Sequence, residues 1–285
     1  FFLTIFCSAD KALSKCNFNT STFLEEINDP KKIKNIEIVI PNNRKYVINT
    51  IKALITRGRV IPNKFKKKYK ANVNVNYSFG ECEYKAKVKQ HGDLKDHINY
   101  DGYEYISSMS IKLLSGNIFN SVRFILFIPE TRNSLNEILG SVIYKNLNFL
   151  SPETFEVPVI FNNKESIMLF QEKPSKEMLE RKKRREGPIF EGDESLLIKD
   201  NDRNMNFKME DLLLSRMTNK NWFLKNNSSQ YISIYAYQKL QKSFLDFADS
   251  LVEKKRDYLK FSYKAPTKES QDKFLDYKFL TLSMN

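Results

Sequence analysis

ANVNVNYSFGECEYKAKVKQ, Ala71–Gln90, alternates apolar and polar residues along nearly its whole length. Successive side chains of a strand point to opposite faces, so Ala71, Val73, Val75 and Tyr77 share one face and Asn72, Asn74 and Asn76 the other. ANVNVNYSF (Ala71–Phe79) and CEYKAKVKQ (Cys82–Gln90) therefore read as two half-buried strands. Gly80-Glu81 between them predicts a hairpin. Upstream, NIEIVI (Asn35–Ile40) alternates, is rich in β-branched residues, and stops at the turn signal Pro41-Asn42-Asn43. KYVINTIKALI (Lys45–Ile55) fits either a helix or a strand pair.

Downstream the pattern continues. SMSIKLL (Ser108–Leu114) and VRFILFI (Val122–Ile128) flank SGN (Ser115–Asn117) and predict a second hairpin. FEVPVIF (Phe155–Phe161) and ESIMLFQ (Glu165–Gln171) flank Asn162-Asn163, a natural tight turn. Between these pairs lies a convincing helix. Ser134 and Glu137 form an S-x-x-E capping box, and Leu135, Ile138, Leu139, Val142 and Ile143 supply its apolar stripe until about Asn148. From Pro174 the period is mostly helical, and Leu240, Phe244, Phe247 and Leu251 mark a long helix near Ile234–Leu259.

The 285 residues carry 47 Lys+Arg against 34 Asp+Glu, a net charge of +13. That balance favours phosphate, nucleic acid, acidic proteins or anionic membrane as partners. KFKKKYK (Lys64–Lys70) and RKKRR (Arg181–Arg185) concentrate part of it, and each also fits a solvated surface run. No nucleic-acid reader motif accompanies the charge, so no specific nucleic acid is expected. No stretch reaches the roughly 18 apolar residues of a membrane span. Cys7, Cys16 and Cys82 form neither a CxxC nor a zinc pattern; the Cys7–Cys16 spacing permits a disulfide without requiring one. FFLTIFCSA (Phe1–Ala9) reads as the tail of a secretory signal or as a buried first strand. The first reading places the protein outside the cell or in its envelope, the second leaves the cytoplasm open. The start at Phe1 and the ending DYKFLTLSMN suggest a fragment of a longer chain.

Several pieces, in order, point to a chemistry. They are VKQHGDLKDH (Val88–His97), SMSIKL (Ser108–Leu113), RFILFIPETRNSLNEILG (Arg123–Gly140), LFQEKPSKEMLE (Leu169–Glu180) and EGPIFEGDE (Glu186–Glu194). Together they resemble the spore-coat CotH family of atypical, secretory-type protein kinases, with the likeness strongest over about 87–194. The resemblance implies an α+β, protein-kinase-like two-lobed fold. A β-rich small lobe over 21–173, with one key helix, would follow a leader over 1–20. A mainly helical, incomplete large lobe would occupy 174–285. The element order fits this, as it fits many α+β folds.

The resemblance also implies ATP with Mg as cofactor, and transfer of the γ-phosphate to Ser or Thr on a structural or surface protein. Phosphoryl transfer needs a loop over the phosphates, a Lys on them and a Glu holding that Lys. His91-Gly92-Asp93, at a strand end, is the candidate loop; an ordinary turn, or a metal cluster with Asp96 and His97, fits those residues too. Lys112 is the candidate phosphate lysine, or an exposed strand lysine. Glu137 is its candidate partner, although the capping box alone explains a Glu there. Arg132 could brace the helix entry or a phosphate. Gln171 and Glu172 would lie at the nucleotide in a hinge, with Leu169 and Phe170 as its apolar wall; a strand-to-helix turn into Pro174 is the plainer reading.

The EGPIFEGDE glycines and proline make a shaped loop to which no catalytic role falls. Nothing after Arg203 matches the family's base and metal-binding aspartates. Asp246, Asp249, Asp257, Asp272 and Asp276 lack that context, so the catalytic residues are expected beyond residue 285 and this chain alone is expected to be inactive. Two rivals stay open: a pseudokinase or protein-binding module, and a basic polyanion-binding surface protein.

Overall fold

A computed structural model describes residues 15–18, 27–100, 105–133, 135–192, 215–219 and 223–258. The chain divides into two compact units, Phe1–Ser134 with Glu153–Lys173 and Leu135–Pro152 with Pro174–Asn285.

The first unit is a β-barrel. Its strands are β1 (Lys15–Phe18), β2 (Ile33–Val39), β3 (Tyr69–Tyr77), β4 (Gly80–Gln90), β5 (Ile98–Tyr100), β6 (Tyr105–Ser107), β7 (Met109–Leu113), β8 (Arg123–Phe127), β9 (Thr154–Phe161) and β10 (Lys164–Glu172). The main sheet runs β1-β4-β3-β2-β9-β10-β8-β7, and β7 pairs back onto β4. That last pairing, Ala86–Gln90 against Met109–Leu113, closes a barrel of seven strands, β4-β3-β2-β9-β10-β8-β7. It is mixed, because β2 and β9 run parallel through Ile36–Ile38. β5 and β6 form a separate two-stranded ribbon.

This architecture overturns the two-lobed kinase-like expectation. The alternating strands are present, but their order in sequence does not tell an open lobe from a closed barrel. Closure depends on long-range pairings that local periodicity does not encode. The three predicted strand pairs do form. Ala71, Val73, Val75 and Tyr77 are buried, and the turn is Ser78-Phe79, two residues earlier than Gly80-Glu81. β7 and β8 pair in register from Met109↔Leu126 to Lys112↔Arg123. β9 and β10 turn at Asn162 and Asn163, both with positive φ, as a tight two-residue hairpin requires.

The interior is filled by alternate residues of every barrel strand, as small barrels demand. Ile36, Ile38, Val73, Val75, Val88, Ile111, Phe124, Leu126, Val159 and Phe170 belong to one buried cluster. Phe170 stacks on both Phe124 and Phe155, at 4.6 and 4.7 Å between ring centroids. Helix α1 (Asn43–Ile55) resolves the ambiguous KYVINTIKALI stretch as helix. It inserts Tyr46 beside Tyr69, Tyr105 and Phe161, with the Tyr46 hydroxyl 2.9 Å from Ser107 Oγ.

β1 is held to β4 by a Cys16–Cys82 disulfide between register partners. The Cys7 alternative lies outside the described residues, as does the proposed signal remnant at Phe1–Ala9. Among the described residues no helix is long and apolar enough to cross a membrane.

The second unit contains α2 (Leu135–Asn146), α3 (Lys176–Arg181), β11 (Phe190–Gly192), β12 (Ser215–Met217) and α4 (Asn227–Tyr258). The predicted small-lobe helix α2 thus groups with the second unit, and its proposed cap Ser134 lies outside the described residues. The Gly187-Pro188-Ile189 turn is fixed by buried Asn219, whose Nδ2 donates to Gly187 O and whose Oδ1 accepts from Ile189 N. Of the predicted EGPIFEGDE motif, Asp193 and Glu194 lie outside the described residues, as do Arg203, Asp272 and Asp276.

Candidate functional site

Strand register decides which candidate residues can act together. On β4, Ala86 and Val88 face the interior, so Lys85, Lys87 and Lys89 face outward. On β7, Ile111 and Leu113 are interior and Ser110 and Lys112 outward. Lys87 pairs with Lys112, and Lys112 pairs with Arg123. Lys173 continues the row, its backbone N–H bonded to Arg123 O at 3.0 Å. Lys87, Lys112, Arg123 and Lys173 therefore lie side by side across four neighbouring strands or their ends, on one outward face.

The next outward row, about 7 Å further along the strands, is Lys89, Ser110, Ile125 and Gln171. Beyond it come His91, whose N–H bonds Ser108 O, then Phe127 and Leu169. Three residues singled out from sequence, Lys112, His91 and Gln171, thus share this face.

Others do not. Glu172 pairs with Phe124 and so turns inward at the barrel end, where its Oε2 accepts Glu153 N–H at 3.2 Å. Phe170 is interior and cannot wall a nucleotide on the outer face. Leu169 lies on the same face but is fully buried, and Gln171, at 2 % exposure, is nearly so. Glu137 lies in α2, in the second unit.

The His91-Gly92-Asp93 turn is tightly built. Gly92 has φ +92, and a Cβ there would lie 2.1 Å from the His97 ring. Glycine is therefore required both by conformation and by contact. His97 Nδ1 lies 3.0 Å from Ser108 Oγ, which accepts Ile128 N–H at 3.0 Å. The His91 ring meets Phe127 edge-on, and the Arg132 guanidinium lies 4.4 Å above the same ring. Asp93 pairs with Lys66. The metal reading of this turn finds no support: among the described residues no group of three or more His, Cys, Asp or Glu side chains could hold an ion.

Burial first, and crowded cations after it, set the electrostatics. His91 is pushed well below its usual value by burial, then by Lys173, His97, Arg132 and Lys89. His97 is lowered to about 4, by burial first, with Asp96 opposing and Arg132 adding. Lys89 is lowered by burial, then by Lys173, Lys66 and Lys68, with Asp93 opposing. Sequence reading missed Lys87 and Arg123 as register partners of Lys112, Lys173 at the end of that row, and Lys89 in the next one. The strand alternation that puts Lys85, Lys87 and Lys89 on one face was visible; the β4–β7–β8–β10 adjacency was not.

Such a face can hold an anion. It offers several cations at strand spacing, with the His91 and His97 imidazoles close by. Neither a comparison with protein-family models nor one with curated proteins finds a match to the chain.

Proposed function

We propose that the outward face of β4, β7, β8 and β10 binds the phosphates of a nucleotide, ATP with Mg, and serves a CotH-like transfer of phosphate to Ser or Thr of a structural or surface protein. One observation carries the binding step: Lys87, Lys112 and Arg123 are register partners on one face, with Lys173 beside them. Like charges directly opposite one another destabilise a sheet, so a bound anion that bridges them is favoured. The resemblance of the His91–Asp93, Lys112 and Gln171 segments to that family supports ATP as the anion. The barrel replaces the two-lobed architecture, and nothing in this reading rests on two lobes. The described residues supply no metal-holding group, so no step through Mg is derived.

The Cys16–Cys82 bridge suits an oxidising compartment, which favours secretion or the cell envelope. The test is thermal stabilisation by Mg-ATP of the wild type and of Lys112→Gln. Stabilisation that the substitution removes supports the reading. Equal stabilisation of both proteins overturns it. Stabilisation by heparin that collapses with salt, without any effect of ATP, favours the polyanion-binding rival instead.

A further inference from the structure

Lys89 stands out among the cations of this face. It lies outward on β4 opposite Ser110, one row from Lys87 and Lys112. It is partly buried, and among the described residues its side-chain ammonium makes neither a hydrogen bond nor an ion pair. Lys66, Lys68 and Lys173 all repel it, and the nearby Asp93 carboxylate is already engaged by Lys66. Burying a cation without a partner is unfavourable unless a counter-charge arrives. The surroundings of Lys89 therefore favour a ligand that brings negative charge.

The spacing narrows the ligand. Strands lie about 4.8 Å apart, and the two outward rows are about 7 Å apart. Lys89 with Lys66, Lys68 and Lys173 makes one cluster; Lys87, Lys112 and Arg123 continue it along the neighbouring row. A single phosphate reaches only part of this surface, whereas a chain of linked phosphates spans both rows.

We propose that Lys89 is a phosphate-binding residue and that this face selects anions with two or more linked phosphates over a single phosphate. This rests on the anion-binding face described above and names its ligand class. It does not require the ligand to be a nucleotide. A free polyphosphate and the polyphosphate arm of ATP present the same chemistry, and the test separates them.

Calorimetric titration of the whole chain with inorganic tripolyphosphate, inorganic phosphate, ATP and AMP is the experiment, on wild type, Lys89→Met and Lys89→Arg. Methionine keeps the aliphatic stem and removes the charge. Its unliganded melting temperature should equal or exceed that of the wild type, so lost binding is not lost folding. Tripolyphosphate should bind the wild type tighter than phosphate, and Lys89→Met should weaken it about tenfold or more, with Lys89→Arg restoring most of the affinity. Unchanged tripolyphosphate binding in Lys89→Met overturns the role of Lys89 and leaves the nucleotide reading standing. Equal affinity for phosphate and tripolyphosphate overturns the ligand class. Tripolyphosphate binding that depends on Lys89, with no binding of ATP, supports the inference and sinks the nucleotide reading. Absence of binding by any of the four anions overturns the inference.

Discussion

Lys112 stands directly across from Arg123, two like charges in register on the outward face of adjacent antiparallel strands. Lys87 faces Lys112 from the other side. Removing the central charge should relieve this repulsion. Lys112→Gln is expected to raise unliganded stability by about 0.2–1 kcal/mol at low salt, with the gain shrinking as salt screens the row. Urea titrations at low and high ionic strength check this. A loss of stability at low salt would show that an ion-pair partner outweighs the row.

The Gly92 turn leaves its backbone little freedom. With φ +92 and a Cβ position 2.1 Å from the His97 imidazole, Gly92→Ala must both strain the backbone and displace that ring. The strain alone is about 1–3 kcal/mol. Gly92→Ala should therefore melt well below the wild type. Equal melting of Gly92→Ala and the wild type would contradict the packing of His97 against this turn.

Acid should destabilise the barrel through its buried imidazoles. The folded-state value of His97 is about 4, against an ordinary 6.5. Between those values the unfolded chain binds more protons than the folded one, so stability rises with pH across the window and is lost as pH falls from about 6.5 toward 4. The contribution is of order 1–3 kcal/mol, and His91 acts in the same direction. Melting temperatures at pH 7.5 and 5.0 for the wild type and His97→Asn provide the check. The variant should show the flatter profile; identical pH dependence would assign the acid loss to other groups.

The legible part of this protein was its local pattern. Alternation at Ala71–Gln90 located β3 and β4, and the Asn162-Asn163 pair located the β9–β10 turn, because side-chain period and positive φ are local properties. Closure of the barrel was not legible. It depends on Val88 meeting Ile111 while β2 runs parallel to β9, contacts between segments far apart in the chain. The site was half legible for the same reason. Lys112, His91 and Gln171 reach one face because their strands are neighbours. Glu172, one residue on from Gln171, turns inward, since a single step along a strand changes face. Glu137 belongs to the second unit, a grouping that its helical pattern did not reveal.

The Cys16–Cys82 disulfide yields the last prediction. It joins register partners of β1 and β4 that are 66 residues apart in sequence. Cys82 is fully buried in the barrel core, while β1 adds Phe18 against Tyr77 and Phe79. Cross-linking so long a loop restricts the unfolded chain, and removal is expected to cost about 2–4 kcal/mol. The reduced protein and Cys16→Ser should therefore unfold at lower denaturant than the oxidised wild type. Cys16→Ser is the milder test, because Cys82 can remain in place as a small buried apolar residue. Adding reductant to Cys16→Ser should then change nothing further, which separates this bridge from any other effect of the reagent. If the oxidised and reduced wild type unfold at the same midpoint after thiol titration confirms reduction, β1 is held by its strand pairing and aromatic contacts alone.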